Sequence, residues 1–188
     1  MPFINTPIPG LVVFEPSVFK DDRGYFFESY SEKLFGQNGI KTDFVQDNES
    51  KSSYGVLRGL HYQVNPTAQA KMVRVAMGEV FDVAVDIRKG SPTYGKWYGE
   101  ILSSENKKQM FIPRGFAHGF SVLSETAVFV YKCDNYYSRE DEGGIVFNDK
   151  ALNIDWKLPA DKIIVSTKDI QLPTLENCLN NFVYGEKF

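Results

Sequence analysis

Between residues 71 and 87 apolar residues alternate with polar ones, and Gly78 interrupts the alternation once. Val73 and Val75 flank Arg74. Beyond the glycine, Phe81, Val83, Val85 and Ile87 fall on one side of an extended chain, with Asp82, Ala84 and Asp86 on the other. A period of two is the signature of a strand, so the segment reads as a hairpin of strands 71–76 and 80–87 with one apolar and one partly acidic face. Similar short runs, cut by turn residues, predict strands at 11–14, 25–30, 44–48, 57–61, 96–102, 109–112, 118–123, 127–131 and 145–147. About ten short strands imply an all-β antiparallel sandwich or barrel. The one clear helix covers 31–37, with Ser31 as N-cap and Gly39 as terminator after Asn38, and a second short one starts near Asp161.

A chain of 188 residues supports one good core, burying roughly 70% of its unfolded surface, and is short for two domains. The expectation is a single domain over 1–188 with a peripheral, weakly patterned tail from about 172. A net charge of -3 with scattered basic residues gives no electrostatic footprint for nucleic acid. No apolar run reaches the roughly 18 residues of a membrane span, and the N-terminus lacks a signal-peptide pattern. Cys133 and Cys178 read as free thiols in a reducing compartment, so the expected location is the cytoplasm, without a membrane partner.

The chain has only two histidines, in Arg58-Gly59-Leu60-His61-Tyr62-Gln63 and Arg114-Gly115-Phe116-Ala117-His118-Gly119-Phe120. Histidine titrates nearest neutral pH, and each of these has a cation close by in sequence, which suits an anionic ligand with a proton to move. Read alone, either is better explained as a satisfied structural group near a strand end. If His61 faces a barrel lumen, strand alternation can bring Lys71 and Asp82 into the same lumen. Small barrels normally fill that space with apolar side chains, so charge there implies a ligand cavity. Arg58 and Lys71 could then hold phosphate or a developing oxyanion. Two histidines with no His-x-His or Cys-x-x-Cys pair supply little for a metal site, and neither a Gly-x-Ser-x-Gly elbow nor a Gly-rich phosphate loop is present. Acid and base chemistry without a metal or cofactor is what remains. Phe27 and Phe129 read as core, whereas Tyr131, Tyr136 and Tyr137 carry phenols that need partners when buried.

Taken together, Asp22-Arg23-Gly24-Tyr25-Phe26-Phe27-Glu28, Phe44-Val45-Gln46-Asp47-Asn48, Val56-Leu57-Arg58-Gly59-Leu60-His61-Tyr62-Gln63, Lys71-Met72-Val73-Arg74-Val75, the run from Gly78 to Arg88, the His118 segment and Tyr131-Lys132-Cys133-Asp134-Asn135-Tyr136-Tyr137 resemble the dTDP-4-dehydrorhamnose 3,5-epimerase family. The resemblance implies a cupin-type jelly roll. It also implies isomerase activity in rhamnose biosynthesis, inverting C3 and C5 of dTDP-4-dehydro-6-deoxy-glucose through an enolate. By the same matching, His61 is the base, Asp169 its carboxylate partner, Lys71 the enolate-stabilising cation and Tyr131 the acid on the opposite face. Arg23, Phe26, Glu28, Gln46, Asn48, Arg58, His118, Tyr137, Glu142 and Lys168 would contact the nucleotide; Asp82 is a candidate supporting group behind the site, or else an ordinary strand-surface carboxylate. The segment 23–28 would reach the other subunit's site, which implies a homodimer. Two alternatives stay open: an epimerase acting at one carbon, and a sugar-nucleotide binding module without catalysis.

Overall fold

Both strands expected in 71–87 form, but they do not pair with each other. In the computed structural model, which describes residues 2–186, the chain passes at Gly78 from one sheet to the opposing one. Gly78 has φ +79° and a Cβ there would lie 2.1 Å from the Thr126 carbonyl oxygen, so only glycine fits the crossing. Period-two patterning identifies a strand and its two faces; it carries no information about the partner.

In chain order the strands are β1 Phe3–Asn5, β2 Val12–Phe14, β3 Phe19–Asp21, β4 Gly24–Phe26, β5 Gln46–Ser53, β6 Val56–Gln63 and β7 Lys71–Met77. They continue with β8 Glu79–Asp86, β9 Trp97–Ser103, β10 Gln109–Ile112, β11 Phe116–Val122, β12 Thr126–Cys133, β13 Glu142–Gly144 and β14 Ile164–Val165. The helices are α1 Glu32–Gln37 and α2 Thr167–Ile170, with one 3-10 turn at Ala160–Lys162. One sheet has the order β1-β2-β10-β7-β12-β5. The other has the order β13-β6-β11-β8-β9, with β14 added to β6. All pairings are antiparallel except β14 on β6. Together the sheets make the jelly-roll barrel, and β3–β4 stands apart as a two-stranded hairpin.

Val73, Val75, Val80, Leu102, Met110 and Phe129 fill the space between the sheets at one end. Outside the second sheet, Leu57, Val83 and Val85 pack under Trp156 and Phe182. Both faces of β8 are therefore covered, and every residue from Val80 to Asp86 is buried. On the outside of the first sheet, α1 seats Phe35 against Phe14, Met72 and Phe111. That helix starts as expected: Ser31 Oγ accepts from the Leu34 amide, and Asn38 and Gly39 end it. The segment after Leu172 is tied down at separate points, with Tyr62 Oη donating to the Leu179 carbonyl at 2.6 Å and Asn180 Nδ2 to that of Ile87.

Residues 145–147 are not a strand. Ile145 is fully buried and exchanges backbone bonds with Leu60, but the paired strand is β13, immediately before it. Among the described residues no helix is long and apolar enough to cross a membrane.

Candidate active site

A cavity of about 790 Å³ opens between the two sheets at the end away from the aliphatic core. Its walls have separate origins. On β6 and β11, His61 and His118 are direct cross-strand partners. On the facing sheet Tyr131 of β12 is opposite Asn48 of β5, and Cys133 is opposite Lys71 of β7. Because side chains alternate along a strand, Phe129, Tyr131 and Cys133 share the inner face, as do Gln46, Asn48 and Ser50. His61 and Tyr131 thus line one cavity from opposing sheets.

The sequence brings Asp169 to His61 through α2. Ser166 caps this single turn by accepting from the Asp169 amide, which orients the carboxylate back toward β6. Asp169 Oδ1 lies 3.2 Å from His61 Nε2, and Oδ2 accepts from the Gly59 amide at 3.2 Å. Gly59 is needed because its φ is +130° and a Cβ there would sit 2.5 Å from Gly119 Cα. Burial pushes the Asp169 carboxyl upward, but the His61 ring, the Gly59 amide and Ser166 outweigh it and hold the group below the usual carboxylate range. A carboxylate can only accept, so Nε2 carries the proton and Nδ1 is the basic nitrogen. Nδ1 is buried with no hydrogen-bond partner.

Opposite, Lys71 Nζ lies 5.8 Å from the Tyr131 ring centroid. Burial lowers the Lys71 pKa, against the opposing pull of Cys133, Asp82 and Glu142. Burial also raises Tyr131, more than Arg58 lowers it, so the phenol keeps its proton. Burial takes Cys133 up to about 11, so beside the ammonium stands a neutral thiol.

At the mouth, Lys168 Nζ reaches both Glu142 oxygens at 2.6 and 2.7 Å, and Tyr137 Oη donates to Glu142 Oε2 at 3.1 Å. Burial raises the Glu142 carboxyl, but Lys168 and Tyr137 bring it below its ordinary value. Arg58 Nε donates to Ser52 Oγ, and Gln46 Nε2 to Asn48 Oδ1. All of these except Ser52 line the cavity together with His61, Lys71, His118, Tyr131 and Asp169. Asp82 does not line it; it sits behind His118, with Oδ2 2.9 Å from Nε2. Arg23, Phe26 and Glu28 lie apart from this chain's own cavity. Arg23 pairs with Asp21 on the exposed β3–β4 hairpin, and Phe26 is 68% exposed.

Several cavity residues carried no functional reading in sequence, among them Cys133, Ser50, Gln69 and Phe120. Cys133 escaped notice because the strand expected at 127–131 stops two residues short of it, whereas β12 runs on to Cys133. Phe129, expected as core, is both core and cavity wall, and it stacks on Phe120 at 4.2 Å. Among the described residues no three histidine, cysteine or acidic side chains converge as a metal-binding group.

The sequence profile of the dTDP-4-dehydrorhamnose 3,5-epimerases matches residues 5–177. The dTDP-4-dehydrorhamnose 3,5-epimerase of Shigella flexneri is 58% identical over 171 residues, covering 90% of this chain and 93% of its own. Among solved structures, the dTDP-6-deoxy-D-glucose-3,5-epimerase of Legionella pneumophila in complex with dTDP-4-keto-L-rhamnose superposes with a TM-score of 0.89. It is 52% identical, with 93% of each chain covered. A 3′-monoepimerase from Streptomyces bikiniensis in complex with dTDP-quinovose is more distant, at TM-score 0.84 and 32% identity, covering 91% of this chain and 86% of its own. With its jelly roll and its histidine–aspartate pair facing a tyrosine across one cavity, the chain belongs to the dTDP-4-dehydrorhamnose 3,5-epimerase family of isomerases.

Proposed function

We propose that this protein converts dTDP-4-dehydro-6-deoxy-glucose to dTDP-4-dehydro-L-rhamnose by inverting C3 and C5 in turn. The C4 ketone acidifies the hydrogen on each neighbouring carbon. His61 removes that hydrogen as a proton, while Asp169 holds the ring at Nε2 and stabilises the imidazolium that forms. The electron pair moves to the C4 oxygen, where the Lys71 ammonium offsets the enolate charge. Tyr131 then delivers a proton to the other face of the same carbon. The observation that carries this reading is the placement of His61 and Tyr131 on opposing sheets of one cavity, since a single group serving one face would restore the starting stereocentre.

Arg58, Gln46, Asn48, His118, Tyr137, Glu142 and Lys168 would hold the nucleotide, with cations suited to the diphosphate and Tyr137 to the base. Arg23, Phe26 and Glu28 would complete the site of a second copy, making the working form a homodimer. Support comes from the hairpin's exposed aromatic side chains, with Phe19 and Phe26 66% and 68% exposed. We read the chain as one domain acting in the cytoplasm.

The test is NMR of the keto-sugar nucleotide incubated with the protein in deuterated water. Deuterium should enter at both C3 and C5, and no incorporation at either overturns the reading. Label at C3 alone supports the one-carbon alternative, which the fold shared with a 3′-monoepimerase keeps in play.

A further inference from the structure

Asp82 is fully buried, at 0% exposure. Its Oδ2 meets His118 Nε2 at 2.9 Å, and its Oδ1 has no hydrogen-bond partner. A carboxylate shut away from water with half its acceptor capacity unused burdens folding, and an apolar residue of similar size would serve the core as well or better. Its position therefore calls for a reason outside stability, and the one side chain it hydrogen-bonds is a cavity residue. His118 is also held by its ring, which stacks on Phe129 at 6.0 Å and 23°. Since a carboxylate only accepts, Asp82 draws the proton to Nε2 and leaves Nδ1 as the ring nitrogen available to a ligand.

We propose that Asp82 is the positioning residue of His118: it fixes the tautomer and orientation in which His118 Nδ1 meets the bound sugar nucleotide. This rests on the function proposed above for its ligand class, a dTDP-linked sugar. The site then holds two aspartate–histidine pairs on neighbouring strands, with Asp169–His61 serving proton transfer and Asp82–His118 serving recognition. Replacing Asp82 by asparagine keeps the size but removes the charge that draws the proton to Nε2, since the amide can turn either its oxygen or its nitrogen to the ring. Replacing it by leucine removes the orienting bond while filling the space.

The experiment compares the full-length protein with Asp82→Asn, Asp82→Leu, His118→Ala and Asp82→Asn/His118→Ala. The probe is dTDP-glucose, which lacks the ketone and so binds without reacting. With only two histidines in the chain, the ¹⁵N imidazole spectrum resolves each tautomer, and His118→Ala assigns the signals. The expected results are a proton on His118 Nε2 in the parent that is no longer fixed there in Asp82→Leu, and affinity about tenfold or more weaker in both Asp82 variants. The Tm of both should match or exceed the parent, and the double variant should bind no worse than His118→Ala alone. With the keto-sugar, KM should rise in step with the loss of dTDP-glucose affinity in both Asp82 variants. Affinity within about twofold of the parent, losses that multiply in the double variant, or a lowered Tm with binding intact in the folded fraction would each overturn the proposal. Absence of deuterium wash-in by the parent would sink the epimerase reading and leave this binding comparison standing.

Discussion

Asp86 and Asp82 lie four residues apart on the same face of β8 and are both at 0% exposure, yet their surroundings treat them in opposite ways. Asp86 is saturated. Arg88 grips it with Nε and Nη2 at 2.9 and 2.8 Å, the Arg88 amide adds a third bond, and Ser91 and Thr93 donate at 2.6 and 2.7 Å. The guanidinium is itself placed over the rings of Phe116 and Tyr184 and donates to the Pro9 carbonyl. Asp82 has one hydrogen-bond partner, and that partner lines the cavity. Exposure alone cannot separate a buried charge kept for the fold from one kept for the ligand; completeness of hydrogen bonding can.

The contrast breaks most visibly at Arg88. Arg88→Ala strands Asp86 as an unpaired buried charge and should cost about 3–5 kcal/mol, read as a lower urea midpoint; a loss below about 1 kcal/mol would erase the distinction. Next comes Asp169→Asn, which belongs on the functional side. Turnover should fall about 100-fold or more as the His61 tautomer is lost, with the urea midpoint little changed. A third measurement uses pH. The Asp86 carboxyl is pushed up by burial but pulled down further by Arg88, Ser91 and Thr93, leaving it below the ordinary value. Such a group binds its proton less readily folded than unfolded. Its contribution is therefore complete above the ordinary carboxylate pKa and drains away as pH falls, at up to about 1.4 kcal/mol per pH unit. Asp86→Asn should flatten the acid limb of the stability curve, measured by urea unfolding between pH 7 and pH 3. The smallest effect is a control far from either aspartate: Ser31→Ala removes the α1 cap and should cost about 1 kcal/mol with catalysis untouched.

How much of this was legible in the sequence follows from what periodicity can encode. β10 was readable to the residue because its short apolar run is buried throughout. β5 was read only as far as Asn48, since its inner residues Asn48 and Ser50 line the cavity and its outer ones, such as Glu49 and Lys51, meet water, so both faces are polar. The hairpin expected at Gly78 failed because alternation is blind to which sheet a strand joins. His61, Lys71 and Tyr131 could be placed through the family resemblance. Their separation onto two walls could not, since strand order comes from tertiary pairing. The tail was opaque because it attaches through isolated anchors such as Leu175 and Phe182 rather than along a repeating face.

Phe120 belongs to one sheet and Phe129 to the other, and their rings lie face to face, 15° from parallel. They act as a shim between the two leaves. Any engineer wanting room for a bulkier hexose can thin or thicken that shim and retune the reach from imidazole to phenol, without altering a single group that touches the proton.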